Sequence, residues 1–106
     1  MKVILNNQEI IVNLADSFFK RLFGLMGKKN IKKGIIFPKC NSIHTFFMKE
    51  KIDVIMTNRN NEILYLFPNL KKWRIILPKK DVFYTYELPA NSIKNLELGQ
   101  KMTILK

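Results

Sequence analysis

Three side chains that can do chemistry lie close together in the middle of the chain: Cys40, His44 and Asp53. A cysteine thiolate becomes a useful nucleophile when a base or a positive charge lies beside it, and His44 or Lys39 could fill that role. A carboxylate such as Asp53 could orient the imidazole, because catalytic triads are defined by geometry and not by sequence order. One hypothesis is therefore a hydrolase or transferase-like enzyme that uses Cys40 and His44.

The same residues also have structural interpretations. A lone cysteine often behaves as a small buried hydrophobe, and a lone histidine on a strand is often a packed core residue. Asp53 is flanked by Ile52 and Val54, and a buried carboxylate is costly unless hydrogen bonds satisfy it. We therefore expect Asp53 to accept backbone N–H groups. The balance favours a protein that is not an enzyme, with Cys40, His44 and Asp53 kept as catalytic candidates.

A binding module is the function class that we favour. A cleft beside the aromatic pair Phe46 and Phe47 could hold a ligand. The side chains that could contact it are His44, Thr45, Met48, Lys49 and Asp53. The partner would be a small or anionic ligand or a protein, and the net charge of +11 favours an anionic one. Lys, Ile, Asn and Phe are abundant together, as AT-rich codon usage would produce, so the charge alone identifies no partner.

Basic stretches with aromatic neighbours raise a third hypothesis, the binding of single-stranded nucleic acid. Seven basic residues and no acidic residue lie between positions 20 and 39, and five more lie between 71 and 80. Aromatic side chains beside a basic groove can stack on bases. The aromatic residues concerned are Tyr65, Trp73, Phe83, Tyr84 and Tyr86. No recognised nucleic-acid module is present, so the sequence disfavours this partner.

The sequence predicts no cofactor and no metal. One cysteine and one histidine do not make a zinc-binding pattern, and Gly24 to Gly27 has the wrong spacing for a phosphate loop. The lone cysteine fits a reducing compartment, and the first nine residues are too poor in apolar side chains for a signal peptide. No segment approaches the roughly 20 apolar residues of a membrane span. We therefore expect a cytoplasmic protein without a membrane span.

The pattern of apolar residues predicts one domain over residues 1–106 that is mainly β. Short strands are expected at 2–5, 9–12, 35–37, 43–48, 52–57, 62–67, 73–77, 81–88 and 101–105. A single helix is expected over 16–27, where Phe18, Phe19, Leu22, Phe23 and Met26 recur at helical spacing behind an N-cap at Asp16 or Ser17. Residues 90–98 could add one or two helical turns.

No β-α-β rhythm is present, so the expected fold is α+β: a small antiparallel β-sandwich or partly open barrel with one N-terminal helix packed on it. The residues expected in its core include Phe19, Phe23, Phe46, Val54 and Ile63. If strands 43–48 and 52–57 pair as a hairpin, His44 and Asp53 would have Cβ atoms about 4.5–5.5 Å apart. If residues 49–52 instead form a crossover, the two side chains would separate.

Several short motifs carry a resemblance to a known family. Phe46-Phe47-Met48-Lys49 followed by Ile52-Asp53-Val54-Ile55 resembles the signature of the DUF192 family of small prokaryotic proteins. Gly24-Leu25-Met26-Gly27 resembles its helix-end motif, Ile43-His44-Thr45 precedes the aromatic pair as in one branch, and Tyr86-Glu87-Leu88-Pro89-Ala90 resembles its late Glu-Leu-Pro motif. Phe47 stands where Trp is common, Glu50-Lys51 is atypical, and Asn91 replaces a frequent Gly. The resemblance implies a β-rich single domain and no established activity.

Overall fold

The structure, a computed structural model, describes residues 1–15, 17 and 24–106. Within them lie nine strands: β1 (Lys2–Leu5), β2 (Gln8–Leu14), β3 (Gly34–Pro38), β4 (Ile43–His44), β5 (Ile52–Thr57), β6 (Ile63–Leu70), β7 (Ile75–Ile76), β8 (Tyr84–Pro89) and β9 (Thr103–Leu105). Seven form one sheet in the order β6-β5-β8-β3-β2-β1-β9, and β4 and β7 form a separate two-stranded sheet. The β2–β3 pair is parallel and the other pairs are antiparallel.

The seven-stranded sheet curls until its two edge strands, β6 and β9, approach each other at one end. Glu62 forms a β-bridge with Lys101. The Ile63 N–H donates to the Gln100 carbonyl at 2.9 Å, and the Met102 N–H donates to the Asn61 carbonyl at 2.8 Å. These bonds satisfy edge groups that would otherwise face solvent. The described part of the chain is therefore a half-barrel built from one sheet, and not two sheets packed as a sandwich.

Two apolar clusters lie on the two faces of this sheet. The inner cluster joins residues from both ends of the sheet: Val3, Leu5, Ile10, Val12, Ile36, Ile55, Ile63, Tyr86, Leu88 and Met102. The outer cluster is Ala15, Leu25, Ile35, Phe37, Met48, Ile52, Val54, Met56, Ile76 and Val82. Its covering residues come from connections and from the small sheet, so loops replace a second layer of sheet. All of β5 is buried because both of its faces are covered.

The N-terminal helix expected over 16–27 must be corrected. The described residues contain no helix, and Gly24 to Gly27 form turns, with φ of 51° at Gly24 and 77° at Gly27. Left-handed backbone of this kind cannot continue a helix. Asp16 and residues 18–23, including Phe19 and Phe23 of the expected core, lie outside the described residues. The mainly β class is confirmed, and the α+β assignment is wrong.

Residues 90–98 also form no helix. Asn91 has a φ of 68° and Asn95 a φ of 57°, so the backbone turns left-handed at both positions. Asparagine tolerates this conformation better than most residues. No helix of the described residues has the length and apolar character needed to cross a membrane.

The segment 43–57 departs from the expected hairpin. Only Ile43 and His44 are extended, and they pair with β7, His44 lying opposite Ile75. The chain then turns, with a φ of 62° at Phe47. Thr45 holds this turn to the 71–74 connection, because its N–H donates to the Arg74 carbonyl at 2.8 Å. Residues 49–51 are therefore a crossover. The sequence-based interpretation also pairs 2–5 with 9–12, and 52–57 with 62–67 through the turn at 58–61. Both hairpins are confirmed, as β1–β2 and β5–β6.

Candidate functional site

A cavity of about 110 Å³ opens on the outer face of the half-barrel. Four separate segments build it: the turn that begins at Gly24, Phe37 of β3, the segment from Cys40 to Met48, and the middle of β8. Its apolar walls are Met26, Phe37, Phe46 and Met48. Its polar and titratable side chains are Cys40, Ser42, His44 and Glu87. Residues from four short motifs of the sequence thus meet at one place.

Glu87 is the residue of greatest chemical interest in this cavity. It lies in β8 between Ile35 of β3 and Val54 of β5, and only 6% of the residue is exposed. Its Oε1 has no hydrogen-bond partner in the described part of the chain. Burial raises the pKa of Glu87 to about 7, and a hydrogen bond from the Leu25 backbone lowers it in part. The carboxyl group therefore changes charge near neutral pH, where it can either donate or accept a proton.

The alternation of β8 explains why Glu87 points into the cavity. Tyr86 and Leu88 belong to the inner cluster, so Thr85 and Glu87 project from the outer face. Thr85 is satisfied because its Oγ1 donates to the Cys40 carbonyl at 2.8 Å. Glu87 instead faces the turn at Gly24, where a Cβ atom would lie 3.0 Å from Oε1. The glycine leaves the space that the carboxyl group occupies.

His44 lies at the mouth of the cavity and is exposed. Its Nδ1 accepts the Phe46 N–H at 3.2 Å, so the neutral imidazole carries its proton on Nε2. The two rings lie 5.0 Å apart, and Phe46 in turn lies 5.6 Å from Trp73. The imidazole is thus held by an aromatic neighbour and by its own turn. It remains a candidate for contact with a ligand that enters the cavity.

Cys40 lines the same cavity, as the enzyme hypothesis requires. Its Sγ, however, donates to the Ser42 carbonyl at 3.2 Å, and its N–H donates to the Phe83 carbonyl at 3.0 Å. A nucleophilic cysteine needs a base or a positive charge beside its sulfur, whereas the sulfur of Cys40 contacts a backbone carbonyl. The hydrogen bonds of Cys40 and His44 are made with neighbouring backbone, and this arrangement gives catalysis no support.

Asp53 lies away from the cavity and has a structural role. It is fully buried in β5 opposite Leu88 of the inner cluster. Its Oδ1 accepts the Asn69 N–H and its Oδ2 accepts the Ile93 N–H, both at 2.7 Å. The carboxylate thereby ties the end of β6 to the connection that follows β8. His44, in contrast, lies on the outer side, so the proposed pairing of these two residues does not form.

The remaining predicted ligand-binding residues divide between scaffold, cavity and surface. Thr45 is buried, and its Oγ1 donates to the Lys71 carbonyl at 2.7 Å and accepts the Arg74 N–H at 2.8 Å. Met48 lines the cavity beside His44. Lys49 is exposed in a different depression, and the structure places it with Lys72 there. His44 and Met48 are therefore the two predicted contacts that the cavity brings together.

Glu87 was missed as a site residue, although the sequence carried a signal for it. An acidic residue between Tyr86 and Leu88 in a predicted strand is as conspicuous as Asp53 between Ile52 and Val54. Both carboxylates are buried, but two backbone N–H groups satisfy Asp53, and Oε1 of Glu87 is left without a partner. The two carboxylates differ in whether backbone N–H donors lie near them, and the sequence does not show where those donors are.

Two further observations concern metal binding and nucleic-acid binding. The described residues hold no group of three or more His, Cys, Asp or Glu side chains placed to bind a metal ion. Of the aromatic residues considered for base stacking, Tyr86 is fully buried, and the Arg59 guanidinium lies 4.4 Å from the ring centre of Phe83. The aromatic residues considered do not all belong to one exposed stacking surface.

Comparison with known proteins gives the family. The sequence model of DUF192, whose members are described as uncharacterised, matches residues 1–104. This chain belongs to the DUF192 family. It is 41% identical over 95 residues to a UPF0127 protein of Thermococcus kodakarensis, covering 84% of this chain and 60% of that protein. A UPF0127 protein of Pyrococcus furiosus is 40% identical over 101 residues, covering 88% of this chain and 85% of the relative. The DUF192 chain thus spans about 60% of the length of the Thermococcus relative.

Two solved structures share the fold. A Sinorhizobium meliloti protein provisionally described as a transcription regulator superposes with a TM-score of 0.79 at 18% identity, covering 96% of this chain and 89% of that one. A Novosphingobium aromaticivorans protein of unknown function gives a TM-score of 0.72 at 15% identity, covering 97% and 82%. At these identities the likeness concerns the half-barrel alone.

Proposed function

We propose that this DUF192 protein is a non-catalytic binding module whose cavity takes a small ligand, or one side chain of a protein partner, through Glu87. The observation that carries the proposal is the unpartnered Oε1 of a carboxyl group that is almost fully buried. A buried polar atom without a partner costs roughly 1–3 kcal/mol, which a hydrogen-bond donor on a ligand would recover. Such orphaned groups are rare in folded proteins outside functional sites.

The chemistry of the cavity selects the ligand group. The oxygen atoms of a carboxyl group accept hydrogen bonds from N–H or O–H donors. Above its pKa of about 7, Glu87 is negatively charged and attracts a cation. An anion at the same place would be repelled by the carboxylate. We therefore propose that the group that enters is an ammonium or an amide, although the chain as a whole is basic. A volume of about 110 Å³ suits a short chain or a small ring.

The walls of the cavity fit such a group. Met26, Phe37 and Met48 offer apolar contact to the carbon atoms that carry the donor, and methionine adapts its shape to different ligands. His44 and Phe46 at the mouth supply a second polar group and an aromatic ring. A few placed polar groups in an apolar cavity are the usual features of a ligand site.

The proposal is tested by nuclear magnetic resonance titration of the whole chain with small probes. Methylamine, acetamide and acetate are added in turn to the isotope-labelled protein, and backbone resonances are followed. We expect methylamine to shift resonances around Cys40, His44 and Met48 at pH 8, with acetamide doing so more weakly. Acetate should leave these resonances in place.

The matched variants are Glu87→Gln and Glu97→Gln, which make the same chemical change inside and outside the cavity; Glu97 is exposed. Glu87→Gln should abolish the response to methylamine, and Glu97→Gln should retain it. The resonance dispersion of each variant reports whether it is folded. An equal response to acetate and methylamine, or a response that survives in a folded Glu87→Gln variant, would refute the proposal.

A further inference from the structure

Large apolar side chains stand out on the surface beside the cavity mouth. Phe47, Trp73, Ile75 and Leu77 are 61%, 56%, 59% and 69% exposed, respectively. Phe47 and Trp73 pack edge to face, with ring centres 5.0 Å apart. Ile75 and Leu77 flank the buried Ile76 and so project outward together. We call these four side chains the apolar ridge.

Three of the four ridge residues lie in a basic segment of the chain. The segment 71–80 carries Lys71, Lys72, Arg74, Lys79 and Lys80 and no acidic residue. All except Lys79 are exposed, and Lys79 lies 5.0 Å from the ring centre of Tyr65. A single short segment thus presents apolar side chains and several positive charges. This combination of exposed apolar and positively charged side chains favours a partner that is both apolar and negatively charged.

We propose that the apolar ridge docks this protein peripherally onto a lipid bilayer that contains anionic lipids. Trp73 and Phe47 would lie at the level of the headgroups, where aromatic residues are enriched, and Ile75 and Leu77 would enter the acyl boundary. The basic residues would meet the negative surface potential, each strengthening binding about fivefold. The half-barrel would remain in water, with the cavity mouth beside the membrane surface.

The composition of the ridge favours lipid over other occupants. Single-stranded nucleic acid is bound by stacking on aromatic rings, but Ile75 and Leu77 are aliphatic and have no π-face. A second copy of the chain placed symmetrically on the ridge would bring Lys71, Lys72 and Arg74 against the same charges of its partner. Hydrocarbon beneath a layer of anionic headgroups matches both the aliphatic tips and the charged flanks.

The test uses the intrinsic fluorescence of Trp73, which is the single tryptophan of the chain. The whole protein is mixed with vesicles of phosphatidylcholine alone or of phosphatidylcholine with phosphatidylglycerol, and binding is measured by flotation. We expect flotation with the anionic vesicles, a blue shift of Trp73 and quenching by brominated lipid, all weakened by salt. Binding without a Trp73 response would overturn the proposal, and so would the absence of binding at low salt.

A pair of variants with matched exposure completes the test. Leu77→Ser changes the ridge, and Leu98→Ser makes the same change at a residue that is 66% exposed elsewhere. We expect Leu77→Ser to weaken vesicle binding roughly tenfold, because the variant buries less apolar surface in the bilayer. Leu98→Ser should leave vesicle binding unchanged. Equal effects of the two variants would overturn the proposal. Tighter binding to single-stranded DNA than to vesicles, or self-association that Leu77→Ser removes, would assign the ridge to another occupant.

Discussion

A Cβ atom placed on Gly24 would lie 3.0 Å from Oε1 of Glu87 and 3.0 Å from Cζ of Phe37. This is closer than side-chain atoms normally approach, so the backbone of the first turn and the carboxyl group of β8 are fitted to each other. Gly24 also has a φ of 51°, which glycine adopts without strain. Two distant motifs of the sequence therefore depend on one contact at the floor of the cavity.

Replacing Gly24 by alanine should destabilise the protein more than the same change at Gly27. Both glycines have a positive φ, so both variants lose about 1–2 kcal/mol through the backbone. Only Gly24→Ala adds a contact, because nothing lies within 4 Å of a Cβ placed at Gly27. This overpacking should lower the free energy of unfolding of Gly24→Ala, measured with urea, by about a further 1–3 kcal/mol. Equal losses of stability in the two variants would mean that Glu87 and Phe37 move aside for the added methyl group without cost.

Glu87→Gln should change how stability depends on pH. The pKa of Glu87 is about 7 in the folded protein and 4.5 as the ordinary value, so the folded state holds a proton that the unfolded state has lost between these pH values. The stability contributed by Glu87 therefore falls as pH rises from about 4.5 to 7 and is constant above that. The total effect is on the order of 3 kcal/mol.

The measurement compares urea unfolding of the wild type and Glu87→Gln at several pH values. Groups that both proteins share cancel in the difference between the two free energies of unfolding. Relative to the variant, the wild type should lose stability from pH 4 to pH 8. A difference that stays constant with pH would show that Glu87 keeps an ordinary pKa.

Asp53→Asn should weaken the scaffold and leave the cavity intact. An amide offers one acceptor where the carboxylate offers two, so either the Asn69 or the Ile93 N–H loses its partner. We expect a loss of about 2 kcal/mol in the free energy of unfolding. The ring resonances of His44 should not move.

Asp81→Asn is the control, since Asp81 is exposed and asparagine accepts its φ of 67°. It should change stability by less than about 0.5 kcal/mol. A large shift of the His44 resonances in Asp53→Asn would restore the coupled-site hypothesis.

Phe46→Ala should cost less than a core substitution. The sequence placed Phe46 in the core, but the structure leaves it half-buried against His44 and Trp73. Ile63, in contrast, is 1% exposed, and Ile63→Ala should cost about 2–5 kcal/mol. For Phe46→Ala we expect about 1–2 kcal/mol, since the ring is partly solvated already. If thermal unfolding shows the larger loss for Phe46→Ala, the ring is more deeply packed than the structure indicates.

The amino-acid sequence by itself determined the local β structure of this protein. Two apolar runs on either side of the Asn-rich turn at 58–61 predicted the β5–β6 hairpin, because strand propensity and turn chemistry are properties of neighbouring residues. The buried positions Val54 and Ile63 followed from the same pattern. The short motifs were enough to identify DUF192. The structural role of Asp53 was also expected, since a carboxylate in an apolar strand needs hydrogen bonds.

Only the tertiary structure decided which of these elements meet. The pairing of His44 with Ile75 and the position of Glu87 depend on contacts between residues far apart in the chain. Period and propensity do not encode such contacts. Gly24 was taken for part of a helix because helical spacing preceded it, whereas its positive φ ends any helix there. The cavity exists because the turn at Gly24, the turn at Phe47 and the outer face of β8 converge, and the unpaired carboxyl group of Glu87 is a consequence of that convergence.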